Sequence, residues 1–309
     1  MEQKQSSNKS ERKKFSSRLT TFPIYAESIG DAWLQLLNLV LRVGFEKKFE
    51  NSSRSRVAES LNVILTIEQV GNENDFYKFF GFSSDAVQRR LKIIESAVTK
   101  LTNKNQQDKQ RVGQIEILSN QLRESPDNDV SIFFIDDESN RISTDFTSVT
   151  FSVIDGKLIG SFTQLKANIF TEWPIEALAL AHFQRKVAEQ AGLEIGALVY
   201  MIKSAQLYDE DWERAEEHLK EFFKRPLPLQ IDPAGIFLFG NNGGKASAML
   251  LDHDASEIFW EGGFDDPEDL SWYIVDVMPW LHPQHIRYVG QECAALMRAI
   301  KSKECYVQG

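Results

Sequence analysis

Apolar residues recur along this chain at two spacings, and the switches between them predict most of its elements. Phe22 to Tyr25 reads as a short edge strand. Ser28 is placed to cap a helix, with Asp31 in its first turn. Trp33, Leu36, Leu37, Val40 and Leu41 fall at three- and four-residue steps on one buried stripe, and Gly44 ends the run. A polar loop containing Arg54 and Arg56 follows. Ser60 to Glu68 then alternates as a core strand, with Val63, Leu65 and Ile67 on one side. Residues 84–124 read as a helical region, rich in Lys, Gln and Asn and broken by the polar run 103–110. Beyond the turn at Pro126-Asp127-Asn128-Asp129, two strands are predicted, Val130 to Ile135 and Phe146 to Ile154. Asp155-Gly156 is a hairpin signal leading into Lys157 to Leu165.

The stretch from Gly160 to Glu217 organises the rest. A turn at Trp173-Pro174 opens a long helix, where the missing N–H of Pro174 costs nothing in the first turn. Leu178, Ala181, Phe183, Val187 and Ala191 place most of their side chains on one face, and Gly192 supplies the stop. Ile195 to Tyr200 is apolar and β-branched and reads as a buried strand, followed by a second, acidic helix. Farther on, Ile236 to Phe239, Ala248 to Leu251 and Ile258 to Trp260 read as strands, the first two joined by a turn at Asn242-Gly243-Gly244. Helices from Pro267 to Val277 and from Pro283 to Lys301 close the chain. Helices interrupting an antiparallel or mixed sheet give an α/β (α+β) pattern. No Pro-, Gly- and Ser-rich boundary breaks residues 21–309, so the reading is one domain there, preceded by a polar, disordered arm over residues 1–20.

Composition narrows the function classes. The chain has 309 residues, 42% of them hydrophobic, enough for a large core. A formal net charge of -10 argues against bulk attraction to nucleic acid or anionic lipid, and no clear nucleic-acid site is read. No run of about 18 apolar residues predicts a membrane span. The only two cysteines, Cys293 and Cys305, fit a reducing, cytoplasmic setting, with neither a disulfide framework nor zinc spacing. Both are expected to be structural thiols.

Several candidate sites have plainer readings. Gly240-Asn241-Asn242-Gly243-Gly244-Lys245 lacks the frame and trailing hydroxyl of a phosphate loop and reads as a hairpin. His182 sits among core positions of the long helix. Asp209-Glu210-Asp211, with Glu213, Glu216 and Glu217, reads as a solvated acidic face. Trp260, Phe264, Trp272, Tyr273 and Trp280 are expected to pack the last helices. No metal site is predicted.

Blocks along the chain resemble thymidylate synthases, particularly their divergent archaeal branch. They include Ser28-Ile29-Gly30-Asp31-Ala32-Trp33-Leu34, Leu61-Asn62-Val63-Ile64-Leu65-Thr66-Ile67-Glu68, and Trp173-Pro174. Leu178-Ala179-Leu180-Ala181-His182-Phe183-Gln184, Gly192-Leu193-Glu194-Ile195-Gly196 and Ala205-Gln206-Leu207-Tyr208 continue the likeness. So do Asp232-Pro233-Ala234-Gly235 and the ending from His285-Ile286-Arg287-Tyr288 to Tyr306-Val307-Gln308. The resemblance implies a three-layer fold with a mixed sheet and a homodimer packed through that sheet. In such enzymes a cysteine attacks C6 of a pyrimidine nucleotide, a folate delivers one carbon to C5, and arginines hold the phosphate, two of them from the partner subunit.

Carried over residue by residue, that chemistry is replaced. The nucleophile's place falls at Asp145. A carboxylate is a poor substitute for a thiolate in conjugate addition to a pyrimidine ring. The phosphate motif reads Leu165-Lys166-Ala167-Asn168, with Leu165 where an arginine is expected. The partner-donated arginine pair becomes Asn128-Asp129, and Asp129 would repel a phosphate. The asparagine that reads the pyrimidine edge becomes Glu176, and the sugar-binding His-x-Tyr becomes Gln206-x-Tyr208. The sequence therefore predicts a thymidylate synthase-like pseudoenzyme. Its role would be that of a non-catalytic homodimeric scaffold or regulatory subunit with a protein partner, and folate would not be used. The alternative is a divergent enzyme or sensor that binds a nucleotide, nucleoside or related pyrimidine in the old cleft. Asn168, Glu176, Gln206 and Tyr208 are the candidate ligand contacts, and Asp145, Glu176 and Tyr208 are the polar centre of an altered chemistry.

Overall fold

The computed structural model describes residues 20–48, 56–68, 70, 85–93, 114–124, 130–133, 146–223, 235–252, 255–279, 281 and 283–309. They fall into two compact units, Met1–Lys224 and Arg225–Gly309, where the sequence reading places one domain over 21–309. The arm expected at 1–20 lies, apart from Thr20, outside the described residues.

The first unit is built on a mixed eight-stranded sheet. Its strands are β1 (Phe22–Ala26), β2 (Phe45–Lys48), β3 (Arg56–Ile67), β4 (Val130–Phe133), β5 (Phe146–Ile154), β6 (Lys157–Gln164), β7 (Ala167–Asn168) and β8 (Glu194–Tyr208). The order is β1-β3-β8-β6-β5-β4, with β2 added to β3 and β7 to β8. β1 pairs parallel with β3, and β8 pairs antiparallel with β3 and parallel with β6. Both central strands are longer than the hydrophobic pattern suggests, because Val57–Glu59 of β3 and Ser204–Tyr208 of β8 continue the ladder with polar residues set among apolar ones. The expected polar loop after Gly44 opens with β2, whose four residues are all exposed and whose pairing with β3 carries no apolar signal.

Helices cover one face of this sheet in two tiers. Helix α1 (Ile29–Val43) starts where Ser28 Oγ accepts from the Asp31 N–H at 3.2 Å, and its expected stripe is buried. Helix α2 spans Gln114–Glu124, and residues 85–93 are also helical. Helix α3 (Trp173–Ala191) ends on Gly192 at φ 74, the left-handed cap expected there. Gln184, wholly buried on α3, donates through Nε2 to the carbonyls of Leu158, Gly196 and Ala197 at 2.8, 3.2 and 3.1 Å, which ties the helix to β6 and β8. The outer α2 lies on α3, with Leu118 and Leu122 buried and Ser119 Oγ donating to the Val187 carbonyl at 3.2 Å. Helix α4 (Trp212–Phe222) packs on α1 through His218, whose ring lies 5.6 Å from that of Trp33. Sheet, inner helices and outer helix make the three layers of an α/β fold. On the opposite sheet face Ile64, Ile159, Val199 and Met201 are only partly buried.

The buried face of the two central strands changes parity along their length. Val63, Leu65 and Ile67 join the core with Leu198, Tyr200 and Ile202, but farther along the pair the core members are Ala58, Ala205 and Leu207. Asn62, at φ 50, sits at this switch. Strict alternation then turns Glu59, Ser204, Gln206 and Tyr208 to the other side together.

The second unit has a three-stranded antiparallel sheet, β11-β10-β9, of β9 (Ile236–Asn242), β10 (Lys245–Leu251) and β11 (Ile258–Phe264). Helices α5 (Pro267–Val277) and α6 (Pro283–Ser302) pack on one face around Phe237, Leu250, Leu270, Ile274, Val289 and Leu296. Gly243 and Gly244, at φ 64 and 95, make the β9–β10 turn that the sequence predicts. Trp260 and Phe264 pack against this core and lie 5.9 and 5.1 Å from Tyr273. Trp272, expected to pack too, is 64% exposed, and Trp280 is outside the described residues.

Candidate functional site

The residues predicted to line a cleft occupy two buried polar clusters and one local turn, and each is engaged by a neighbour. Glu176, in the first turn of α3, is 5% exposed. Arg90 forms an ion pair with its Oε1, while Gln164 Nε2 donates to Oε2 at 2.6 Å. The hydroxyl of Tyr200 donates to Gln164 Oε1 at 2.6 Å, completing a chain from Arg90 through the carboxylate to a core tyrosine. Phe146 lies beneath the Arg90 guanidinium at 5.8 Å, and Trp173 stands edge-on to Tyr200 at 5.7 Å. Arg90 and Gln164 escape sequence reading because Arg90 stands beside the core positions Val87 and Leu91 with no local sign of a partner, and Gln164 looks like an ordinary strand end.

The second cluster sits on the reversed face of β3 and β8. Glu59 Oε1 accepts from Ser204 Oγ at 2.5 Å and from Gln206 Nε2 at 3.1 Å, and Lys47 pairs with Oε2. The Tyr208 hydroxyl donates to Gln206 Oε1 at 3.0 Å. Burial pushes the Glu59 carboxyl up, but hydrogen bonds from Lys47, Ser204 and Gln206 and the Lys47 charge outweigh it, so its pKa lies below the ordinary 4.5. A depressed folded-state value makes this contribution complete above 4.5, and it is lost as pH falls through the folded value. Glu59→Gln is therefore expected to destabilise the chain above pH 4.5 and to lose that deficit as pH falls through the folded value, in paired urea titrations of variant and parent.

Asn168 turns inward at β7, where its Oδ1 accepts from the N–H groups of Phe170 and Thr171 at 3.1 and 3.4 Å. It shapes the turn into α3 and presents no acceptor to a ligand through that oxygen. Leu165, at the arginine's place, is 55% exposed, and Lys166 is exposed beside it. Asp145, Asn128 and Asp129 lie outside the described residues. Asp211, read from sequence as part of a solvated acidic run, is 4% exposed and pairs with Arg214 at 3.0 Å, since the run forms a short 3-10 turn against the core. His182 is partly buried on α3.

Both cysteines lie in the second unit. Cys293 is buried in the core of the second unit; that burial first, and then the Glu292 charge, push its thiol up to about 11. Cys305, expected to be buried, is exposed on the segment after α6. A maleimide at neutral pH is expected to label Cys305 at once and Cys293 only on unfolding, as peptide mass mapping would show. Among the described residues no group of three or more His, Cys, Asp or Glu side chains is placed to hold a metal ion, and no helix is long and apolar enough to cross a membrane.

A mixed sheet covered on one face by a long Trp-Pro-initiated helix, with polar strand ends at its border, defines a thymidylate synthase-like α/β protein. The thymidylate synthase family model matches residues 71–239, more than half the chain, and the chain belongs to that family. A Methanothermobacter thermautotrophicus protein named "Putative thymidylate synthase" is 22% identical over 221 residues, covering 64% of this chain and 99% of that relative. A Methanococcoides burtonii protein of the same name is 24% identical over 224 residues, covering 64% and 94%. A Listeria monocytogenes thymidylate synthase is 35% identical over 91 residues, 29% of each chain. Residues 231–309 match a different model, PterinBD-DUF4346. The ending read as the family's own C-terminus thus falls within a stretch that has a family model of its own.

Proposed function

We propose that this chain is a thymidylate synthase-family pseudoenzyme: a fold retained as a scaffold or regulatory subunit that pairs through its sheet and engages a protein partner. The observation that carries this reading is the absence of any cysteine before Cys293, which leaves the whole family-matched segment without a thiol. Without a thiolate there is no adduct at C6 of the pyrimidine, and one-carbon transfer to C5 has no activated carbon to receive it. The engagement of Glu176 by Arg90 and Gln164, and of Gln206 by Glu59 and Tyr208, supports the same conclusion, because those side chains serve the fold. The partly buried Ile64, Ile159, Val199 and Met201, on the sheet face that no described helix of this unit covers, support pairing there. The direct assay incubates the protein with dUMP and methylenetetrahydrofolate. Thymidylate formation at the rate of a protein-free blank is expected, and turnover abolished by Asp145→Ala would overturn the reading.

One observation favours a second reading, a sensor or divergent enzyme whose cleft takes a nucleoside-like ligand. Trp173 Nε1 is fully buried beside Tyr200 and has no hydrogen-bond partner among the described residues, and a buried donor left unpaired is costly. Mass spectrometry of small molecules released from gently denatured protein separates the two readings: a stoichiometric pyrimidine supports the sensor, and none supports the scaffold.

A further inference from the structure

In the second unit, β9 is a sheet edge with no strand added among the described residues, yet two of its outward backbone groups, the Phe239 N–H and the Phe237 C=O, are occupied. The β9–β10 hairpin closes on Asn242 and Lys245, and the register places Phe239 opposite Ala248 and Phe237 opposite Leu250. Hydrogen-bonded pairs alternate outward from a two-residue turn, so Phe237 and Phe239 direct their N–H and C=O groups to the open side. The side chain of Gln308 meets them there. Phe239 N–H donates to Gln308 Oε1 at 2.8 Å, and Gln308 Nε2 donates to the Phe237 carbonyl at 2.7 Å and to the Tyr288 hydroxyl oxygen at 2.6 Å. One carboxamide thus takes up a donor and an acceptor that an added strand would otherwise bond. Two residues earlier, the Tyr306 hydroxyl donates to Glu292 Oε2 on α6 at 2.5 Å. Val307 between them is 80% exposed, so the segment is held mainly by these two side chains.

We propose that Tyr306–Gln308 is a strap that closes the β9 edge against antiparallel pairing with β9 of a second copy of this chain. The strand is complementary to itself. Turned about Leu238, Phe237 faces the copy's Phe239, and their backbones exchange the bonds that Gln308 now makes. Ile236 then faces Gly240, which has no side chain to obstruct it. Ile236 and Leu238, 38% and 44% exposed, lie on the outer face that such pairing would partly cover. An apolar strand edge of this kind templates association unless something blocks it, and a side chain satisfying its backbone is an economical block.

The test uses the full chain carrying Gln308→Ala and Tyr306→Phe. Losing these bonds should favour the open edge roughly a hundredfold. The expected results are a concentration-dependent rise in mass by light scattering above that of the parent, and faster hydrogen exchange at the Phe239 amide at low concentration. Adding Leu238→Lys, which sets like charges across the two-fold axis, should return the mass to the parent value. A folded double variant with the parent mass at every concentration and a rapidly exchanging Phe239 amide overturns the proposal, as does a mass rise that Leu238→Lys leaves intact. Should the double variant not fold, Gln308→Glu, which sets a carboxylate oxygen against the Phe237 carbonyl, is read by the same criteria. Should Phe239 stay protected, a chain ending at Lys303 is used, and an unchanged mass there overturns the proposal too.

Discussion

Arg90→Ala is expected to destabilise the first unit by about 3–5 kcal/mol, the usual consequence of stripping one partner from a buried ion pair. The side chain of Glu176 is 6% exposed and that of Arg90 19%, so little water reaches the carboxylate once the guanidinium is gone. Gln164 would still donate to Oε2, but a neutral amide does not replace a cation. With a typical domain stability of about 5–15 kcal/mol, the loss should appear as a large fall in urea midpoint. Replacing both members, Arg90→Met with Glu176→Met, removes the desolvated charges together and is expected to be close to neutral. Tryptophan fluorescence during urea unfolding measures both variants. A loss under about 1 kcal/mol for Arg90→Ala would mean that the pair is solvated and the cleft is not closed by it.

This pair also shows what the sequence could and could not reveal. The long elements were legible because their signals are local. Ser28 with Asp31 and the Trp33–Leu41 stripe define α1, Pro174 and Gly192 bracket α3, and Asp155-Gly156 and Gly243-Gly244 mark hairpins. β2 and the first residues of β3 were not, because β2 is mostly polar and exposed and the short apolar pair Val57-Ala58 is set between Arg56 and Glu59, with no alternation to mark a strand. At the candidate site the chain itself exposed the losses: no cysteine before Cys293, and a leucine at 165. It could not reveal that Glu176 is matched by Arg90, which lies 86 positions away. Nor could it reveal the change of buried face near Asn62 that gathers Glu59, Ser204, Gln206 and Tyr208. Such long-range polar pairings carry no periodic signal. The division into two units did leave a mark in the sequence, since residues 224–234 hold Pro226, Pro228 and Pro233, three of the chain's nine prolines, at the boundary that a one-domain reading passes over.

The second large effect concerns the phosphate. The proposed function rests on a resemblance that implies arginines around the phosphate and places Leu165, Asn128 and Asp129 at three of their positions. Charge-assisted hydrogen bonds contribute about 1.5–3 kcal/mol each, so losing three weakens a dianionic ligand by about 4–9 kcal/mol. That is a factor of about a thousand or more in affinity, before any repulsion from Asp129. Glu176 compounds the loss at the base, because an ionised carboxylate only accepts, whereas the amide it replaces both donates and accepts.

Isothermal titration of the full-length protein with dUMP tests the central claim most directly. The proposed loss of thymidylate chemistry predicts no saturable heat into the millimolar range, with the same outcome when folate is present. Stoichiometric binding at micromolar affinity would contradict it, since that would require a cationic cradle and a pyrimidine-reading edge that these residues do not provide.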